Sequence, residues 1–268
     1  MSEASSNQQG GRTPDRAAAR PPCILVEGLT AGYGGEPILE NVSFTVGRGE
    51  ILVIVGGSGC GKSTLLKHMI GLHALMAGRV VVDGVDIGQA GEADLARVHQ
   101  GIGVLFQSGA LFGSLTLAEN VALPLLDFTQ LPRPLALELA RAKLCMVGLA
   151  GYENHLPSEV SGGMKKRAGL ARAMALDPSV LFFDEPSAGL DPVTSAELDH
   201  LIQRINDGLG TSMVIVSHEL ASIFAIAHRV VMLDKATRGI IAQGDPRQLK
   251  DGSDDPRVRA FFHRQAPA

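Results

Sequence analysis

Apolar residues recur along this chain in short runs broken by glycine, and between them at helical spacing. Ile24-Leu25-Val26 and Ile38 to Val46 alternate apolar and polar, with Gly32-Tyr33-Gly34-Gly35 between them, which predicts two strands joined by a turn. Glu50 to Val55 is a continuous apolar run of the kind buried on both faces of a parallel sheet. It ends in glycines, after which Lys62 to Ile70 reads as a helix. Arg79 to Asp83 and Ile102 to Phe106 read as short strands on either side of a helix at Glu92 to His99. Thr116 to Leu125 and Leu135 to Val147 then read as helices among Pro124, Pro132, Pro134 and Pro157, a helical insertion in an α/β domain. A helix follows Gly163, a buried strand spans Val180 to Phe183, and Leu198, Leu201, Ile202, Ile205 and Leu209 share one face of a helix opened by Pro192. Met213 to Val216, Arg229 to Leu233 and Gly239 to Ala242 are late strands, and Asp255 to Arg264 a short terminal helix.

Composition narrows the class. The 268 residues are 45% hydrophobic, enough for one compound domain with a sizeable core. A net charge of −4 with no basic run argues against nucleic acid as a partner. Cys23, Cys60 and Cys145 form no CxxC pair, which suits free thiols in a cytosolic chain. No apolar run approaches the roughly 20 residues that span a bilayer. Residues 1–22 are polar, without a secretory h-region, and read as a disordered tail. Any membrane part must come from other subunits.

The chemistry starts at Gly56-Gly57-Ser58-Gly59-Cys60-Gly61-Lys62-Ser63-Thr64, which leaves a buried strand and opens a helix, as a phosphate-binding loop does. Glycines let backbone N–H groups point at phosphates, and the helix N-terminus adds positive potential. Lys62 is expected to reach the β- and γ-phosphates and the Ser63 hydroxyl to ligate Mg²⁺. Cys60 reads as a small spacer. Asp184 and Glu185 follow a buried strand at the end where ligands bind in open α/β sheets. Asp184 suits Mg²⁺ held through water, and Glu185 a general base for the attacking water. Ser161-Gly162-Gly163 opens another helix whose N–H groups suit a γ-phosphate. The helical insertion stands between it and its own phosphate loop, which implies a second copy of the chain packed head to tail.

The order of the phosphate loop, Gln107, Val160-Ser161-Gly162-Gly163, Asp184-Glu185, Ser187-Ala188-Gly189-Leu190-Asp191 and His218 resembles the nucleotide-binding subunit of ABC transporters over residues 23 to 245. The resemblance implies a RecA-like P-loop core with an antiparallel β subdomain and a helical subdomain at about 108–162, followed by a helical tail at 246–268. It implies an ATPase that works as a dimer with ATP between the copies. Tyr33 would stack on adenine, and Gln107 would bind Mg²⁺ and sense the membrane subunit. Ser161, Gly162 and Gly163 would touch ATP on the opposite chain, Asp191 would lie at the dimer seam, and His218 would contact the γ-phosphate and hold Glu185.

Three further segments, Met164-Lys165-Lys166-Arg167 on to Ala173, Phe106 to Thr116 and Asp254 to Phe262, resemble the ATPases of Mla phospholipid transporters and their relatives in MCE-domain systems. The expectation is lipid transport from the cytoplasmic face of the inner membrane, with a permease and an MCE-domain protein as partners. An importer of small polar solutes and a single-cassette cell-division scaffold are the alternatives. Ala110, Leu111 and Phe112 either form a groove for a permease helix, so that Leu111→Asp would uncouple it, or fill the subdomain core. Lys165 and Lys166 read as a solvated helix face. Phe261 and Phe262 read as a latch onto the core or onto the neighbouring chain.

Overall fold

A computed structural model describes residues 21–265; most of the expected tail at 1–22 therefore lies outside the described residues. The chain begins β1 (Ile24–Tyr33), β2 (Glu36–Val46), β3 (Ile51–Gly56), α1 (Lys62–Met69), β4 (Ala77–Val82) and β5 (Val85–Asp86). It continues α2 (Glu92–Gly101), β6 (Ile102–Leu105), α3 (Leu117–Phe128), α4 (Arg133–Met146), α5 (Gly162–Ala173) and β7 (Val180–Asp184). The last part runs α6 (Pro192–Leu209), β8 (Ser212–Val216), α7 (Leu220–Ile226), β9 (Arg229–Asp234), β10 (Gly239–Gly244), α8 (Pro246–Gly252) and α9 (Pro256–His263).

β2, β1, β4 and β5 form an antiparallel sheet in that order. The β1–β2 ladder shifts register three times between Val26 and Gly32 and ends with Tyr33 opposite Glu36, so the turn is the two residues Gly34 and Gly35, at φ 62° and 87°. Positive φ at both positions matches the twist of a two-residue hairpin. Gly32 and Tyr33, expected in the turn, are strand residues. The larger sheet has the order β10-β9-β3-β8-β7-β6, parallel except for β10.

Alternation along its strands builds two cores. Leu52, Ile54, Val180, Phe182, Val214 and Val216 face α1 and the small sheet. Ile51, Val53, Leu181, Phe183, Met213 and Ile215 face the helices. Phe182 and Phe183 are both fully buried, on opposite faces, each adding about 1.5–3 kcal/mol by leaving water. α3, α4 and α5 pack on one another between β6 and β7, and α3 runs through Pro124 to Phe128. A reciprocal pair of bonds between Thr116 and Glu119 caps its start. Leu209, expected on the buried face of α6, is half exposed, because α6 stops there and Gly210, at φ 66°, turns the chain away. α9 folds back so that Phe262 packs on Phe224 with ring centroids 5.7 Å apart, the latch within one chain.

α5 crosses β6 at Gly103. A Cβ there would stand 2.1 Å from the Ala173 carbonyl oxygen and 2.7 Å from Leu181. Gly103→Ala is expected to destabilise the protein by about 1–3 kcal/mol, read as a lower midpoint in urea or thermal denaturation; an unchanged midpoint would show that α5 can lift from the sheet.

Candidate active site

The strand order gathers the predicted residues along one sheet edge. Leu105 pairs with Phe183, Asp184 with Val216, and Val216 with Ile54. The segments that leave these strands, Gln107, Asp184-Glu185, Ser217-His218 and the loop from Gly56, therefore emerge side by side at the C-terminal ends of parallel strands.

The loop needs its glycines. A side chain at Gly56 (φ 145°) would meet the Leu233 carbonyl at 2.3 Å and Cys60 Sγ at 2.7 Å, and Gly61 (φ 98°) lies against Leu39. Gly57, Ser58 and Gly59 are exposed; Cys60 is buried, and burial pushes its thiol up. It is a filled position rather than a thiolate. Lys62 Nζ donates to the carbonyls of Gly56 at 2.9 Å and Gly57 at 3.1 Å, so the ammonium lies over the mouth of the loop. A hollow of about 340 Å³ opens there, lined by Ile38, Ser58, Gly59, Gly61 to Thr64 and Glu185. Ile38, on β2, was not among the expected site residues; its place in the alternating strand after the Gly34–Gly35 turn carried no chemical signal.

From this lining the Ser63 hydroxyl donates to Asp184 Oδ1 at 2.9 Å. His218 Nδ1 donates to Glu185 Oε2 at 2.8 Å, so that ring nitrogen carries the hydrogen. Glu185 itself sits at φ 51°, a left-handed conformation uncommon for its residue type. Gln107 is exposed in the turn after β6, and among the described residues no hydrogen bond joins it to Ser63 or Asp184. Tyr33, at the end of β1, is 42% exposed and meets His73 edge-on at 5.0 Å and the buried His68, on α1, at 6.1 Å.

The second group lies elsewhere. Ser161 caps α5, its hydroxyl accepting from Met164 N–H at 3.2 Å, and Ser161 and Gly162 are exposed while Gly163 packs under Thr194. The hollow beside Ser161 and Gly163 shares no lining residue with the one at the phosphate loop. Asp191 caps α6 by accepting from the N–H groups of Val193 and Thr194; the Thr194 hydroxyl, ahead of these, holds its carboxyl below the usual range.

Hard oxygen donors on Ser63 and Asp184 suit Mg²⁺, which keeps several waters and binds one or two carboxylates. Among the described residues no group of three or more His, Cys, Asp and Glu gathers as a zinc-type site requires.

The ABC transporter family model matches residues 39–188. The chain belongs to that family. Escherichia coli K12 MlaF, named an intermembrane phospholipid transport system ATP-binding protein, is 44% identical over 230 residues, covering 85% of this chain and 84% of MlaF. Its Haemophilus influenzae counterpart is 40% identical, covering 89% of each chain. The probable ribonucleotide transport ATP-binding protein mkl of Mycobacterium tuberculosis H37Rv is 41% identical over 90% of this chain, which spans 66% of that relative's length. Among solved structures, the dimeric post-hydrolysis cassette MJ0796 with ADP and Pi superposes with TM-score 0.75 at 28% identity, over 83% of this chain and 98% of that one. Clostridium perfringens cbiO1, part of the ABC transporter complex cbiONQ, gives 0.79 at 26% identity, over 86% and 91%.

One expectation about this ABC cassette needs correction. Lys166 is not on a solvated face: it is 6% exposed and its ammonium donates to the Glu185 carbonyl at 3.3 Å. Lys165 is half-buried. Of the two readings left open for Ala110 to Phe112, filling the core fits Leu111, which is half-buried against it, and not Phe112, which is 57% exposed. Leu111→Asp would therefore damage packing, whereas the Phe112 side chain stands at the surface.

Proposed function

We propose that the chain is the ATP-hydrolysing subunit of an ABC transporter that drives phospholipid transport between membranes. The observation that carries the ATPase reading is Glu185, lining the phosphate-loop hollow with one carboxylate oxygen held by His218 at 2.8 Å. The lipid reading rests on the two MlaF relatives, each covered over more than four-fifths of its length. The mkl relative favours ribonucleotides by name, but the chain spans less of it.

In this reading Lys62 leaves the carbonyls of Gly56 and Gly57 for the β- and γ-phosphates, while the loop's N–H groups hold them. Tyr33 stacks on the adenine. Ser63, Asp184 and Gln107 would hold Mg²⁺, which would neutralise charge on the phosphates. His218 fixes Oε2 of Glu185, leaving Oε1 to take a proton from the attacking water. A second copy brings Ser161, Gly162 and Gly163 to the γ-phosphate, with Asp191 at the seam. Partners are that copy, a membrane permease and an MCE-domain protein, at the cytoplasmic face of the inner membrane. None of the described helices is long and apolar enough to cross a membrane, so in this reading the permease supplies the crossing.

Purification from its own cells is expected to bring down a polytopic membrane protein, and the complex in proteoliposomes to move a fluorescent phospholipid only with ATP. Phe112→Asp should cut recovery of the membrane protein about tenfold or more, as loss of an interface hot spot does. Lipid transfer that ignores ATP, or full recovery with Phe112→Asp, would refute the lipid reading or the docking surface respectively.

A further inference from the structure

We propose that Lys166 is a positioning residue for Glu185, tying the backbone of the base to the helix that Ser161 opens. The proposal rests on the ATPase reading above and adds a residue to it.

Lys166 lies about one turn into α5, on the face shared with Gly163, Gly169 and Leu170, all buried. Its hydrogen bond to the Glu185 carbonyl is the one its ammonium makes to protein among the described residues. An ammonium buried with a single partner is costly unless charge nearby compensates it. Burial lowers its pKa, and the carboxylates of Glu185 and Asp184 oppose that shift. A lysine kept only for volume would gain from replacement by an apolar side chain of similar length; a lysine kept for its contact would not.

The contact falls where the backbone needs support. Glu185 is left-handed at φ 51°, a conformation that persists only where surrounding structure holds it. Its N–H donates to the Val216 carbonyl at 2.9 Å, and its own carbonyl accepts from Ala188 N–H at 3.2 Å and from Lys166 Nζ at 3.3 Å. His218 holds the side chain. Ala188 belongs to the same turn, and Val216 and His218 come from β8 and the segment after it. Lys166 thus supplies the one tie from α5. Rotation of the Glu185 peptide without it would swing the carboxylate away from the hollow.

The test uses the full chain with Mg²⁺ and ATP. K166M should lower kcat by about 10–10²-fold, the scale of a small misplacement of a reacting group. KM and the Kd for ATP should stay within about twofold, since the phosphate loop is untouched. In an E185Q background, single-turnover hydrolysis should respond to K166M by less than about twofold, because the residue it positions is already gone. K166Q, which keeps a donor, should fall between wild type and K166M, and carries the same cycle if K166M shows no cooperative thermal transition. A loss of equal factor in both backgrounds, or an unchanged kcat, would overturn the proposal while the ATPase reading stands. Equal turnover by wild type and E185Q would remove both.

Discussion

Glu185→Gln is expected to lower ATP turnover by about 10²–10⁴, the usual cost of losing a positioned base, and to leave ATP binding in place. Gln has the same length and shape, and its carbonyl oxygen can still accept from His218 Nδ1, now 2.8 Å from Glu185 Oε2. The turn at φ 51° is backbone geometry, held by Val216, Ala188 and Lys166, and does not require a carboxylate. What the substitution removes is the oxygen basic enough to take a proton. Phosphate release under single-turnover conditions, beside equilibrium binding of ATP, separates the two effects. Turnover at the wild-type rate would show that another group activates the water, and weakened binding that Glu185 holds phosphate.

The substitution is informative because the site is spread over four strands. Ser63 at the start of α1 reaches Asp184 at the end of β7, although β8 lies between β3 and β7 in the sheet. A parallel sheet makes this reach possible, since all these strands deliver their C-terminal ends to one edge.

That edge was legible in the sequence because buried parallel strands announce themselves. Ile51 to Val55 and Val180 to Phe183 are unbroken apolar runs ending in glycine or acid, a combination few other structures explain. β5 and α7 escaped notice for the opposite reason: two residues and a seven-residue helix are too short to show a period. Lys166 was misread through its neighbour. Two adjacent lysines suggest solvent, yet helical spacing puts Lys166 three residues from both Gly163 and Gly169, glycines that let α5 pack closely. Leu111 and Phe112 are likewise adjacent, yet the first is half-buried and the second exposed. Direction, rather than hydrophobicity, separates each pair, and direction is set by packing that one segment does not encode.

α5 also ties the site to its surroundings. Its Arg172 donates to the carbonyls of Ala110 and Gly109, just after Gln107, and burial pushes that guanidinium down. One helix therefore touches both the segment after Gln107 and the Glu185 carbonyl, while Ser161 at its start lines a hollow separate from that of the phosphate loop.

The exposed Ser161 leads to the second large effect. Ser161→Asp is expected to reduce turnover by about 10²-fold or more, as loss of a transition-state anion site does. Asp caps a helix as well as Ser does, so α5 keeps its cap at Met164 N–H; the change places negative charge where a phosphate would sit. Alone, this variant and Glu185→Gln should both be nearly inactive. Co-expressed with different tags and isolated as the mixed dimer, they should recover turnover well above either parent. In that dimer one site combines the intact phosphate loop and Glu185 of the Ser161→Asp chain with the intact Ser161 of the other. The second site carries both lesions. If each chain completed its own site, every site would hold one lesion and nothing would be regained. The separate hollows at Lys62 and Ser161, with no lining residue in common, favour recovery.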